Sequence, residues 1–412
     1  MPHKGCRAQS SRKILTETSM TTTFIRIRKT GTNPGFWIAG LTNTAEPQLP
    51  LSCWRSRRVA MLGREFAKVH LKNELRGLFM VTKSRIISDN NIGEALSKLW
   101  EELCANDEVK INVGGAAGGV TLVSGKPHWW ARDKDGNEVK PAERSRICGC
   151  HEVTYSWLRG QRPAVSRKFG PPPPPQRDGF LIGQPDHLLS IMRRAWLSVN
   201  LGEQREIGCV VNGFPFVAGG HFLALIAKFT DGRISYPWAE QCMSFGTVKL
   251  VLDLALRLGP EYALGFNPPY YGATQAQFHV HLVKRDEYPV ERAVRVPLDA
   301  GGAFPLYAGG CLILESASPD TLSGWLARLG ERGIASNLLI RKRTAYVFPR
   351  RPGVGVVAEF PAGLIAFSEL SGHWITSDES VFDELDEDYL RTALRRATIP
   401  VDEAWGIAMG RP

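Results

Sequence analysis

Gly272-Ala273-Thr274-Gln275-Ala276-Gln277-Phe278-His279-Val280-His281-Leu282 is the stretch around which the rest of the chain arranges itself. Polar and apolar residues alternate here with period two. An extended strand therefore puts Gln277, His279, His281 and Val283 on one face and Phe278, Val280 and Leu282 on the other. The apolar face anchors the strand, and the imidazole face is offered to something. Two imidazoles and an amide on one face need partners, because a buried polar group without a hydrogen bond costs about 1–3 kcal/mol. A bound phosphate supplies them.

Outward from this stretch the pattern is regular. Residues 207–211 and 221–227 read as strands joined through the turn Asn212-Gly213-Phe214-Pro215. A helix follows over about 239–257, with Met243, Val248, Val251, Leu252 and Leu254 on its apolar side. A strand at 262–266 and the loop Asn267-Pro268-Pro269-Tyr270-Tyr271 lead back to the histidines. Strand, strand, helix, strand, histidine strand is an α+β meander with its helix on one face. Before it, Pro185 and Asp186 open a helix carrying Leu188, Leu189, Ile191, Met192, Ala195 and Trp196.

The last third has the same character. Residues 305–315 read as a strand, and Ser318-Pro319-Asp320 opens a capped helix with Leu322, Leu326, Ala327 and Leu329. Strands are expected at 336–341 and 344–349, then a broad loop over 352–361. A final helix over about 379–395 begins acidic (Glu379, Asp383, Glu384) and ends basic (Arg391, Arg395, Arg396), matching the helix dipole. Arg341, Lys342 and Arg343 fit a hairpin tip or a reach toward a phosphate.

The chain before residue 180 says less. Residues 1–22 are polar and read as a disordered tail, and a strand begins near Phe24. Arg55, Arg57 and Arg58 fit a phosphate clamp or a solvated basic face. Residues 92–104 form an amphipathic helix with Asn91 at its N-cap. The run Gly114 to Gly119 lacks both the Gly-Lys-Ser/Thr ending of a P-loop and the G-x-G-x-x-G order, so a hairpin or loop is expected there. The polar stretch from Lys134 to Arg177 contains five prolines, Pro171 to Pro175, and reads as a linker or surface insertion. Within it, Cys148-Gly149-Cys150-His151 has no second ligand pair, so no metal site is expected.

Composition bounds the rest. At 412 residues the chain is long enough for two domains or one large pseudo-symmetric one. With 51 Lys and Arg against 41 Asp and Glu, the net charge of +10 favours anionic partners, without by itself pointing to nucleic acid. Eight dispersed cysteines fit a reducing cytoplasm rather than a disulfide framework. No apolar run is long enough to cross a bilayer, so no membrane partner is expected.

Three matches resemble the histidine-triad superfamily, in particular its galactose-1-phosphate uridylyltransferase-like and GDP-hexose phosphorylase branch. They are Asn212-Gly-Phe-Pro-Phe216 with Gly220-His221, the stretch Gly272 to His281, and the C-terminal set Asn337 to Ile340, Tyr346 to Pro349 and Glu369 to His373. The resemblance implies two half-barrels of antiparallel sheet with flanking helices. The expected layout is a tail over 1–22, an N-terminal α+β region over 23–165 and a Pro-rich linker over 166–180. A catalytic half over 181–300 and a second half over 301–400 follow. It also implies nucleotidyl transfer or phosphorolysis on a nucleoside-diphosphate sugar or dinucleoside polyphosphate, through a nucleotidyl-histidine.

In that scheme His279 is the nucleophile, with His281 and Gln277 beside it as the other catalytic positions. Asn212, Phe214, His221, Asn267, Gly272, Thr274, Gln275 and Lys284 are the expected substrate contacts. Phosphate or a sugar phosphate is the acceptor, a divalent metal would enter only with the nucleotide, and a homodimer stays open. The family reads H-x-H-x-Q in transferases and H-x-H-x-H in hydrolases, whereas this chain reads Gln277-x-His279-x-His281. A nucleotide hydrolase and a catalytically silent nucleotide-binding protein therefore stay as alternatives.

Overall fold

The computed structural model describes residues 22–26, 37–41, 85–87, 91–113, 115–140, 142–160, 197–202, 206–230, 233–235, 239–273, 275, 277–360 and 364–411. Residues 1–70 and 71–412 are two separate units. In the first, β1 (Thr22–Arg26) and β2 (Trp37–Leu41) pair antiparallel. The expected helix over 185–196, Arg55, Arg57, Arg58 and the prolines 171–175 lie outside the described residues.

The second unit begins with β3 (Arg85–Ile87), α1 (Ile92–Ala105) and the antiparallel sheet β4 (Val109–Val113), β5 (Ala116–Val123) and β6 (Lys126–Arg132). The glycine run is not a cradle. Gly118 and Gly119 sit inside β5, where a Cβ would stand 2.0 Å from Leu158 and 2.1 Å from the Val109 carbonyl oxygen. Close packing requires those glycines. Next come β7 (Glu143–Cys148), β8 (His151–Ser156), α2 (Trp157–Gly160) and β9 (Leu197–Asn200).

The remaining elements form two copies of one plan. The first copy is β10 (Glu206–Val211), β11 (His221–Thr230), β12 (Arg233–Ser235) off the edge of β11, α3 (Phe245–Arg257), β13 (Tyr262–Phe266) and β14 (His279–Lys284). After α4 (Pro289–Arg292) and β15 (Arg295–Pro297), the second copy is β16 (Gly302–Pro305), β17 (Leu312–Leu314), α5 (Pro319–Glu331), β18 (Ser336–Arg341) and β19 (Thr344–Pro349). Within the sheet the first runs β10-β11-β14-β13 and the second β16-β17-β19-β18. They join antiparallel through β13 and β18, with Gly265 opposite Leu339. The chain closes with α6 (Phe367–Leu370), β20 (His373–Thr376), α7 (Glu379–Glu384), α8 (Glu387–Ala397) and α9 (Val401–Ala408). This is an α+β protein of antiparallel sheets with flanking helices. No helix among the described residues is long and apolar enough to cross a membrane.

Three expected boundaries move. The helix predicted from 239 starts at Phe245, because the Ser244 side chain accepts the Thr247 N–H at 3.4 Å and caps it there. The strand predicted over 305–315 is two short strands separated by a loop. The helix predicted over 379–395 breaks at Leu385, since the Asp386 carboxylate accepts the Tyr389 N–H at 2.8 Å and starts a new helix. Arg341 is engaged within the chain: its Nε and Nη2 donate to the two Glu291 oxygens at 2.7 and 2.9 Å, while Lys342 takes the positive φ of the hairpin turn.

The two faces of the large sheet have different fates. On one, α1, α3, α5 and α9 bury Trp100, Val248, Leu252, Phe278, Val280, Leu282, Leu322 and Trp405 in one core. On the other, the second copy buries Ile313, Leu339, Tyr346 and Phe348 beneath Trp374, Phe360 and Phe367. Cross-strand register puts His281 and Gly265 on the same face as Leu339 and Tyr346. The histidines thus occupy the face that the second copy fills with hydrocarbon.

Part of the stretch predicted to be a linker or insertion contributes to that second core. β7 and β8 pair antiparallel, and β8 pairs parallel with β20, so residues 143–156 are integral sheet. Val153, Tyr155 and Cys148 are buried there with Phe382 and Leu385. The polar residues that suggested a linker have partners: Ser145 shares a hydrogen bond with Thr154 across the hairpin at 2.9 Å, and Arg146 Nε donates to the distant Phe382 carbonyl at 3.1 Å.

His151 in this sheet is completely buried, with Nδ1 3.2 Å from the Tyr307 hydroxyl and its ring against the Trp374 edge. Burial, with the Arg391 charge adding to it, pushes its pKa down to about 4. The unfolded chain, titrating near the ordinary 6.5, then takes up a proton that the native state refuses. Stability is therefore full above pH 6.5 and falls as pH drops toward 4, by about 3 kcal/mol for this group alone. Urea unfolding of the wild type at pH 7 and pH 4.5 is expected to show the loss, and His151→Phe to show a smaller one. An equal loss in both proteins refutes the assignment.

Candidate functional site

β14 is shorter than its sequence pattern suggests. Gly272 has φ 114° and Tyr270 φ 70°, so the chain turns at 270–272, and the strand starts at His279. A Cβ on Gly272 would stand 2.7 Å from Ala366 Cβ, so the loop packs closely and this glycine shapes the backbone. From His279 onward the predicted faces hold, with Phe278, Val280 and Leu282 in the helix-side core.

His279 is 5% exposed. Its Nδ1–H donates to the Gln277 carbonyl at 2.8 Å, so in the neutral ring the lone pair is on Nε2. Burial holds its pKa below the ordinary value and outweighs that hydrogen bond, which acts in the opposite sense. The ring is thus neutral at pH 7. His281 stands beside it, ring centroids 5.6 Å apart.

His281 is tied into a polar chain. Its Nδ1 shares a hydrogen bond with His221 Nε2 at 3.0 Å. His221, completely buried, lies 2.9 Å from Asn212 Nδ2 and packs edge-on against Phe216, centroids 4.3 Å apart. On its other side, His281 Nε2 is 3.5 Å from Asn267 Nδ2. Asn267 Oδ1 accepts from Asn337 Nδ2 and from the Phe367 N–H, both at 2.8 Å. Asn337 Oδ1 in turn accepts from Arg350 Nη1 at 3.1 Å. Phe367 covers Gly265 so closely that a Cβ there would be 2.3 Å from its ring, and it stands 5.3 Å from the His281 ring centroid.

The structure therefore brings together His279, His281, His221, Asn212 and Asn267, with the Gln277 carbonyl holding the His279 ring. Asn212 supports the site from behind: its Oδ1 accepts the Phe214 N–H at 2.9 Å and shapes the turn. Phe214 packs on Ile111, Ala131 and Leu158. Lys284 falls on the opposite face of β14 from His279 and His281, as period two requires. Arg285 is engaged with Glu152 and with the Glu287 carbonyl at 3.0 Å. Gln275 lies in the loop before the strand, half-buried, and Thr274 is outside the described residues.

Sequence reasoning missed Gln241, Asn337 and Phe367 as parts of this site. Gln241 donates through Nε2 to the carbonyls of Asn267 and His279 at 2.9 and 3.0 Å, and accepts the His279 N–H through Oε1 at 2.7 Å. Nothing in Glu240-Gln241-Cys242 marks it. Asn337 carried a faint signal as an amide opening a buried apolar strand.

Chemically, the arrangement offers a neutral imidazole with a directed lone pair, a second imidazole to give or take a proton, and amides that fix both. No family model matches the chain, and neither does any curated protein. Among solved structures, yeast Ap4A phosphorylase Apa2 is similar over 76% of this chain and 96% of its own, at 12% identity and TM-score 0.46. The same protein in complex with AMP is similar at 14% identity and TM-score 0.46, covering 74% of this chain and 97% of its own. Its complex with Ap4A gives 14% identity and TM-score 0.44 over the same shares.

Proposed function

We propose that this chain is a histidine-triad-like nucleotidyltransferase acting as a phosphorylase on a dinucleoside polyphosphate or nucleoside-diphosphate sugar, through a nucleotidyl-His279 intermediate. The observation that carries this reading is the His279 ring: buried, neutral, and locked by the Gln277 carbonyl with its lone pair on Nε2. In the first step Nε2 attacks the α-phosphorus. The Nε2–P bond forms, the bond from that phosphorus to the bridging oxygen breaks, and the leaving phosphate keeps the electron pair. The ring becomes cationic, and the Nδ1–H bond to Gln277 stabilises it. In the second step an oxygen of inorganic phosphate attacks the same phosphorus, and the pair returns to Nε2. The product is a nucleoside diphosphate, and the proton of the attacking phosphate passes to His281 or to solvent.

The test is incubation with α-labelled dinucleoside polyphosphates and nucleoside-diphosphate sugars, with and without phosphate and with and without Mg²⁺. Acid-labile label on the protein and phosphate-dependent diphosphate product are expected. Nucleoside monophosphate formed without phosphate dependence establishes hydrolysis instead, and binding with neither label nor product leaves a silent nucleotide-binding protein.

A further inference from the structure

The backbone around His279 is held by an unusual device. β13 and β14 pair from Tyr262↔Lys284 to Gly265↔His281, and that register, continued by two residues, sets Asn267 opposite His279. There the ladder is open. The Gln241 carboxamide occupies the rung, with Oε1 on the His279 N–H at 2.7 Å and Nε2 donating to the His279 carbonyl at 3.0 Å and the Asn267 carbonyl at 2.9 Å. Both Nε2 hydrogens are used. Gln241 is 2% exposed, so these bonds are not exchanged with water. The chain beside it reinforces the splice, since the Phe278 N–H donates to the Ala239 carbonyl at 2.7 Å and Glu240 bridges to Gln277.

A side-chain amide has the hydrogen-bonding pattern of a peptide group but lengthens the rung. Were it removed, the His279 N–H and the Asn267 carbonyl would be the nearest complementary pair, and closing on each other would draw Asn267 inward. Asn267 would then lose its hold on Asn337 and the Phe367 N–H, and with it the fixed amide beside His281. The inserted amide thus holds two things at once: the backbone of His279 from both its N–H and its C=O, and the backbone carbonyl of Asn267.

We infer that Gln241 is a positioning residue for the nucleophile, keeping the β13–β14 rung open and His279 aimed. The inference rests on the proposed nucleotidyl transfer for its kinetic readout, and on the fold alone for its structural one. Gln241→Met keeps the length and removes the bonds. Its labelling rate and kcat are expected to fall ~10²-fold, the order a small misplacement of a reacting group produces, with KM within about twofold because Gln241 reaches the substrate only through His279. Hydrogen exchange at the His279 amide, measured on the full chain without substrate, is expected to accelerate by at least ~10-fold as a buried hydrogen bond is lost. Unchanged kcat or unchanged exchange overturns the inference. Should the wild type never become labelled, the transfer reading fails and the exchange arm still judges Gln241. Should the Met variant not fold, Gln241→Glu decides. Its carboxylate opposes two carbonyl oxygens at pH 8 and regains one donor when protonated, so labelling relative to wild type is expected to rise as pH falls. A flat ratio overturns the inference.

Discussion

His279→Ala is expected to lose all acid-labile nucleotide label and to lower turnover by ~10³-fold or more, the scale seen when a covalent nucleophile is removed. In the proposed reaction Nε2 of this side chain carries the nucleotide: Nδ1 is engaged with Gln277, and His281, 5.6 Å away between ring centroids, is tied to His221. The pH dependence follows from burial. Because the His279 pKa is depressed, the ring keeps its lone pair as pH falls through the ordinary 6.5, and labelling declines only below that. Single-turnover labelling between about pH 8 and pH 5 is the measurement. His281→Ala is expected to become labelled but to discharge slowly if, in the proposed second step, that ring rather than solvent takes the proton of the attacking phosphate. Label persisting in His279→Ala sinks the mechanism, and an acid limb centred above 6.5 contradicts the buried neutral ring.

Much of the fold could be read from local pattern. Strands at 262–266, 336–341 and 344–349 are short apolar runs with clear ends, whereas the repeat of the first half by the second was implied by the family resemblance. The face of β14 was legible for the same reason: Phe278, Val280 and Leu282 alternate into the core. What escaped was decided at long range. The alternation runs backward into Gly272, but whether a chain extends or turns there depends on its contact with Ala366, nearly a hundred residues away. Arg144 and Arg146 look like solvated charge until Glu379 and the Phe382 carbonyl arrive from the C-terminal segment. Gln241 is an ordinary surface-type residue in sequence, and becomes part of the site only because β13 and β14 part beside it.

Arg350→Met is expected to cost about 3–5 kcal/mol of stability, the scale of removing one partner from a buried charged network. Arg350 is fully buried. Its Nε donates to the Ala397 carbonyl at 3.1 Å, Nη1 to Asn337 Oδ1 at 3.1 Å and the Ile365 carbonyl at 2.5 Å, and Nη2 to the Val354 carbonyl at 3.0 Å. Its guanidinium also lies 4.9 Å from the Tyr271 ring centroid. Burial lowers its pKa only to about 10, so it stays charged at pH 7 and needs every one of these acceptors. Methionine fills much of the volume and satisfies none of them, leaving three carbonyls and an amide oxygen with fewer partners. Lysine keeps the charge but cannot spread three donors over that planar fork, so Arg350→Lys is expected to recover less than half the loss. Urea midpoints of the three proteins measure this, and equal midpoints would show the network to be idle. A second effect separates support of the site from plain stability. Arg350 orients Asn337, Asn337 holds Asn267, and Asn267 sits beside His281. Under conditions where Arg350→Met is fully folded, labelling of His279 should therefore remain while the rate of discharge falls. Combining it with Asn267→Ala should then give less than the sum of the two losses, because both changes release the same amide.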